Sequence, residues 1–409
     1  MKALLRARQN APRDPDMTHG DRRRVFGLDC LRALAILSVL FAHGFGFLYP
    51  QMPAWFGLLG HGGFYGVELF FVLSGFLIGR ILIRYDSDLG NPGTVGVFYI
   101  RRWFRTLPLF WLFVVLNVLL EFQVKDHPLS LGEVLEHGFF LRTFATYHPV
   151  FFPESWSLAI EEWFYLLFPA AIWLGLRFRR RFAPVFLTVA ATFFLFSTIG
   201  RMISAYGANA TWAQWQRVIV IFRFDGLMIG VFAGWISLRW PQFWKARPRL
   251  SAAIGCLLLF ALYCSLWRWR DGQFVFGPDD YFARTFRFTL VSFGFALLLP
   301  WASLWKLENE NFASLAVRKI ALWSYALYLV HIPLIQLLMK YGYQDWRASF
   351  GHALILFVFE IGGAILLSAL LFRFFERPCT ALREQFAPAV AKIFTPSGKR
   401  SGRPNQSCK

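Results

Sequence analysis

Leu31 to Gly44 reads LRALAILSVLFAHG: an arginine, a mostly apolar run, then a histidine. The flanking residues extend this run to about 26–48, long enough to cross a bilayer. An ionisable group inside such a run costs roughly 2.5–3.5 kcal/mol on insertion scales, so it faces a partner or a watery cavity. Arg32 and His43 are eleven residues apart. Eleven helical steps of about 100° end about 20° past three full turns. The two side chains therefore share one face, about 16 Å apart along the axis. One stripe joins a permanent cation to a ring that can take a proton. Taken alone, the pair is equally well explained by Arg32 snorkelling to headgroups and His43 packing near the interface.

The rest of the chain shares this character. Of 409 residues, 56% are hydrophobic, 19% aromatic and 16% charged; a soluble domain carries about 25% charged residues. Apolar runs of spanning length lie near 26–48, 63–83, 106–122, 157–176, 182–200, 218–238, 250–267, 288–305, 320–339 and 352–375. The pattern predicts an all-α integral membrane protein, a polytopic bundle of about ten transmembrane helices. The net charge of +19 is carried largely by the two ends and by RFRRRF (177–182). This asymmetry puts both termini in the cytoplasm and the protein, multi-pass, in the inner membrane.

A nucleic-acid partner is not expected, because the arginines are scattered over helix ends rather than gathered on one module. Anionic lipid accounts for most of them. Residues 1–25 form a basic N-terminal arm, 26–375 the membrane domain and 376–409 a basic tail; neither end is assigned a fold. The first apolar run is longer than a signal-peptide core and is expected to remain as a span. Five dispersed cysteines without a C-x-x-C pair give neither a disulfide framework nor a metal site.

Further charged residues fall in or beside the spans. FYGVELFFVLSGFLIG (64–79) places Glu68 in the outer part of the second span, at a depth expected to match His43. ESWSLAIEEWFYLLFP (154–169) carries Trp156, Ser157, Glu161, Glu162 and Tyr165 into the fourth, with Glu161 and Glu162 expected at the same level as His43 and Glu68. A carboxylate beside an imidazole holds its tautomer and stabilises the imidazolium, so Glu68 and Glu161 are candidate partners of His43. FYIRRWFRTLP (98–108) puts Arg101 and Arg105 one turn apart with Arg102 between, three guanidinium forks suited to phosphates. A positive-inside anchor explains the same cluster. Arg223 and His331 are two more ionisable residues within spans. Gly75-x-x-x-Gly79 and Gly226-x-x-x-Gly230-x-x-x-Gly234 mark faces where helix backbones approach closely. Between the third and fourth spans, Leu131, Val134, Leu135 and Phe139 have the spacing of a short amphipathic helix.

Six stretches in this order resemble the membrane-bound acyltransferase-3 family, which includes carbohydrate O-acetyltransferases. They are Arg32 and His43 with ten residues between them; GVELFFVLSGFLI (66–78), with Glu68 where Asp is common; RRWFR (101–105); WSLAIEEWFY (156–165); SYALYLVH (324–331); and FERP (375–378). The resemblance runs from about Phe26 to Pro378. It implies transfer of an acyl group, usually acetyl, from cytoplasmic acyl-CoA (acetyl-CoA) to a hydroxyl of a carbohydrate or glycoconjugate, with no metal. On this resemblance the coenzyme phosphates sit on Arg101, Arg102 and Arg105 with Arg32, and the thioester lies near His43.

His43 then acts as general base or becomes transiently acylated, oriented by Glu68 or Glu161. Trp156, Ser157, Tyr165, Arg223 and His331 are further pocket candidates. Some relatives add a further span and a soluble esterase-like domain. This chain is expected to lack them and to modify its acceptor directly, as a homo-oligomer, or with a separate partner protein. The rival reading is a transporter or flippase that uses the buried charges as a proton relay.

Overall fold

A computed structural model describes residues 25–394 apart from 49–51, 53–59, 61, 125–128, 147–150, 207–215, 271–272, 277–279, 308 and 342–348. The arm 1–24 and the end of the tail, 395–409, lie outside the described residues. The helices of eight residues or more are α1 Phe26–Gly44, α2 Gly63–Tyr85, α3 Pro92–Val124, α4 Leu131–Gly138, α5 Ser155–Phe178 and α6 Phe182–Tyr206. They continue as α7 Phe224–Arg239, α8 Pro248–Cys264, α9 Phe286–Leu304, α10 Phe312–Tyr341, α11 Phe350–Leu371 and α12 Arg377–Phe394.

An apolar helix stands at each of the ten expected places. Eight are long and apolar enough to cross a membrane. The other two are shorter: α7 has 16 residues and α8 has 17. The chain is thus a multi-pass membrane protein. Expectation and structure differ at two places. Antiparallel strands β1 Trp267–Arg270 and β2 Gln273–Phe276 form an unexpected hairpin after α8, a short addition to a bundle that is otherwise helical. The residues between them are Asp271 and Gly272, a dipeptide that favours tight hairpins. The segment 376–409, assigned no fold from sequence, contains α12, which packs along α3 with Phe386 stacked on Phe104 at 5.2 Å. Arg383 and Ala387, one turn apart, are its buried face.

The short helix α4 forms where the apolar spacing placed one. Ser130 accepts the Glu133 amide proton while Glu133 reaches back to the Ser130 amide, so both ends of its first turn are satisfied.

Glycines set the closest helix contact. At Gly75 a side chain would collide with the Leu227 carbonyl, and at Gly230 with the Val72 carbonyl, so α2 and α7 meet backbone to backbone. A Cβ at Gly230 would lie 2.7 Å from Phe76 N and 3.0 Å from Gly75 Cα. Gly230→Ala should therefore destabilise the protein by about 1–3 kcal/mol as the two helices are forced apart. Gly46→Ala, where no atom lies within 4 Å, is the neutral control. Thermal unfolding of both variants in detergent micelles checks this; equal midpoints would refute the close contact.

Candidate active site

Helix α1 carries both ends of the site. Its neighbour α2 runs antiparallel: Gly63 faces Ala42, and Gly66 faces Ala35 and Val39. This register fixes depth. Glu68, five residues past Gly63, lies about 8 Å from the level of Ala42 toward the Arg32 end. Ser74 lies about 9 Å further in the same direction. Ser74 donates to Glu161 Oε1 at 2.7 Å, and Tyr165 donates to Glu161 Oε2 at 3.0 Å. Glu161 therefore sits at the depth of Arg32, within electrostatic range of both Arg32 and Arg102. Arg32 also lies 3.7 Å from Asp29 of its own helix. Arg102 covers Phe98 one turn back, at 5.8 Å. Arg101 and Arg105 stand on the same stretch of α3, both half-buried.

The expected single level of His43, Glu68 and Glu161 is thus corrected to three. Neither carboxylate pairs with His43. Glu68 forms a fully buried ion pair with Arg223 of the segment entering α7, and its other oxygen accepts from Ser292 at 3.3 Å. Asp225 is held by two hydrogen bonds from Arg201, at 2.8 and 3.0 Å. Arg223 also donates to the Arg217 carbonyl and lies over Phe288, 4.1 Å from the ring centroid. Two helix-borne carboxylates and two arginines cancel here in the middle of the bundle. The group is a lock between α2, α6, α7 and α9.

At the far end of α1 the partner of His43 is another histidine. His43 Nδ1 lies 3.1 Å from His331 Nε2 of α10, with ring centroids 5.0 Å apart. His331 is fully buried, whereas His43 is exposed. One turn back along α10, Tyr328 lies 5.6 Å from the His331 ring. Its hydroxyl is 2.6 Å from Ser157 Oγ of α5, and both hydroxyls reach the Glu154 carbonyl, at 3.3 and 3.2 Å.

The Glu154 carboxyl beside them is buried with neither oxygen hydrogen-bonded, and that burial pushes it well above the usual carboxylate range. Arg217 lies over the Trp156 ring at 5.0 Å and within electrostatic range of His43. On the other flank, Glu360 of α11 is fully buried. Its Oε2 is 2.5 Å from where a Cβ of Gly44 would stand.

The structure therefore gathers Arg32, Arg102, Glu161 and Tyr165 at one end of the α1 face and His43 with His331 at the other; Trp156, packed on Phe71, and Ser157, bonded to Tyr328, lie between them. Arg223 and Glu68 pair with each other between them. Arg217, Tyr328 and Glu360 were not among the expected site residues. Arg217 carried one signal, a cation just before the sixth apolar run, on the side where Lys and Arg are depleted. Tyr328 and Glu360 carried no signal stronger than their polarity within a span.

The family model Acyl_transf_3, described as an acyltransferase domain, matches residues 25–373. The chain belongs to the acyltransferase-3 family. It is 29% identical to O-acetyltransferase OatA of Staphylococcus aureus (strain NCTC 8325 / PS 47), over 86% of this chain and 56% of the relative. It is 26% identical to peptidoglycan O-acetyltransferase OatA of Listeria monocytogenes serovar 1/2a, over 88% of this chain and 56% of the relative. The chain spans little more than half the length of these curated relatives. No solved structure matches it.

Proposed function

We propose that this family member is an integral membrane O-acyltransferase. It moves an acyl group, in the first instance acetyl, from cytoplasmic acyl-CoA to a hydroxyl of a carbohydrate or glycoconjugate on the opposite side. The observation that carries this reading is the single face of α1, with a guanidinium cluster at one end and an exposed imidazole about 16 Å away at the other. The reading puts both termini and the Arg32 end in the cytoplasm of an inner-membrane protein with ten crossings. The membrane domain is 26–375, and α12 lies against its cytoplasmic end. The peptidoglycan O-acetyltransferase of Listeria supports a glycoconjugate hydroxyl as acceptor.

In this scheme Arg102 and Arg32, with Arg101 and Arg105 beside them, hold the coenzyme phosphates by charge-assisted hydrogen bonds. The pantetheine arm extends along α1 and presents the thioester near His43. His43 takes the acceptor hydroxyl proton as the oxygen attacks the thioester carbon. The C–O bond forms, the C–S bond breaks, and the imidazolium returns its proton to the departing sulfur. Glu161 does not meet the reacting atoms. Ser74 and Tyr165 hold its carboxylate, which stands within electrostatic range of Arg102 and Arg32. Trp156 and Ser157, with the Glu154 carboxyl, line the acceptor side.

Arg102→Ala tests the donor end. Losing one charge-assisted contact, worth roughly 1.5–3 kcal/mol, should raise KM for acetyl-CoA about 10- to 100-fold with kcat nearly unchanged. Initial rates of free-thiol release from acetyl-CoA, with glycans extracted from the expressing cells as acceptor, measure it. A KM equal to wild type would remove Arg102 from the donor site. Sealed vesicles that accumulate glycan with no acetylated product would point instead to a transporter.

A further inference from the structure

The proposed role of His43 leaves open which of its two ring nitrogens is the base and what holds the ring. We infer that His331 is the positioning residue of the reaction, fixing His43 in the tautomer whose Nε2 takes the acceptor proton. This inference rests on the reading of His43 as general base.

Four observations carry it. His43 Nδ1 is occupied by His331 Nε2 at 3.1 Å, so Nε2 is the nitrogen left for chemistry. For Nε2 to present a lone pair, the neutral ring must carry its proton on Nδ1 and donate it to His331. His331 must then accept at Nε2 and keep its own proton on Nδ1. That atom is buried without a well-formed hydrogen bond and has the main chain of Leu327 and Tyr328 one turn back as its neighbours. Those carbonyls can only accept, which selects the Nδ1–H form of His331.

The carboxylates that would otherwise do this work are engaged elsewhere: Glu68 with Arg223, Glu161 with Ser74 and Tyr165. A neutral imidazole in place of a carboxylate also suits the setting. It brings no further ionised group to a site where the Glu154 and Glu360 carboxyls already lie buried without hydrogen bonds.

Tyr328 extends the support. It sits beside the His331 ring and is tied through its hydroxyl to Ser157 and the Glu154 carbonyl. The chain Glu154–Ser157–Tyr328–His331–His43 runs from the start of α5 to the end of α1, so α10 cannot shift without moving the base. During transfer the acceptor proton binds His43 Nε2, the Nδ1–H bond to His331 persists, and His331 changes neither its proton count nor its bonds.

The test is His331→Ala beside His331→Gln, with His43→Ala as reference. Loss of the tautomer-fixing acceptor should lower kcat about 10²-fold or more while KM for acetyl-CoA stays within about twofold. His331→Gln offers an amide oxygen to the same Nδ1–H and should recover part of the loss. Nitrogen-15 NMR of histidine-labelled protein in micelles supplies a readout that packing alone would not move. Wild type should show His43 as the Nδ1–H tautomer, and His331→Ala a mixture. Wild-type turnover in His331→Ala, or a wild-type His43 spectrum in that variant, overturns the inference while leaving His43 as base. Retained transfer in His43→Ala would instead overturn the underlying reading.

Discussion

His43→Ala should reduce acyl transfer by about 10²–10⁴-fold, the usual worth of a positioned proton acceptor, while the protein still folds and inserts. The expectation of intact folding comes from the ring's position. His43 is exposed at the end of α1, where its ring meets the side chain of His331. Removing it leaves His331 Nε2 without its partner, a cost of about 1–3 kcal/mol that a bundle of this size can absorb. Mass spectrometry of surface glycans should therefore lose one acyl unit per modified sugar in cells carrying the variant. Purified variant should match wild type in detergent-gel elution and unfold cooperatively, with a thermal midpoint lowered by only a few degrees. His43→Gln, which keeps volume and a hydrogen bond to His331 but has no basic nitrogen, should be equally inactive. An active Gln variant would mean that the ring serves only as a spacer.

Arg223→Ala should be the most destabilising single change in the membrane domain. Arg223 and Glu68 are both fully buried and paired with each other. Truncating one partner strands the other charge in a low-dielectric bundle, a loss of about 3–5 kcal/mol. Glu68→Ala should cost a similar amount, and Glu68→Gln less, because an amide can still accept from Arg223. The double variant Glu68→Leu/Arg223→Met should be closer to wild type than either single truncation, since no charge is left unpaired. Thermal unfolding of wild type, Glu68→Leu, Arg223→Met and the double variant in micelles measures this cycle. Strict additivity would show that the pair is not coupled.

The same cycle separates two roles for Glu68. If it only locks α2 to α7, the double variant regains turnover along with stability. A stable but inactive double variant would return Glu68 to the chemistry.

The comparison of Arg32, His43 and Glu68 shows what a single sequence can and cannot specify. The shared face of Arg32 and His43 follows from helical periodicity alone, because both lie on one helix. The α2–α7 contact was legible for a related reason. Glycines at four-residue spacing can serve little else inside a membrane, and the Leu227 and Val72 carbonyls occupy the space they leave.

Partner choice between helices has no such local code. Glu68 lay in the right span, but depth along α2 depends on its register with α1, which packing sets. Its true partner, Arg223, is 155 residues away. The His43–His331 contact, 288 residues apart in the chain, was hidden for the same reason. Helix α12 was missed because its buried face, around Arg383 and Ala387, does not register as hydropathy and is defined by what α3 offers it. Hydropathy therefore placed the spans, periodicity placed side chains on faces, and tertiary packing decided which faces meet.

The most direct measurement places donor and acceptor on opposite sides of a sealed membrane. Purified protein is reconstituted into proteoliposomes that enclose glycans extracted from the expressing cells. Acetyl-CoA labelled in the acetyl group is added outside, and vesicles are sorted by orientation through protease access to the C-terminal tail. If one face of α1 links a coenzyme cradle to an imidazole across the bilayer, label should appear on enclosed glycan only in vesicles with the tail outside. It should vanish with His43→Ala and need more donor with Arg102→Ala. Label that reaches glycan only when both substrates share a compartment, or that persists without His43, would contradict the account.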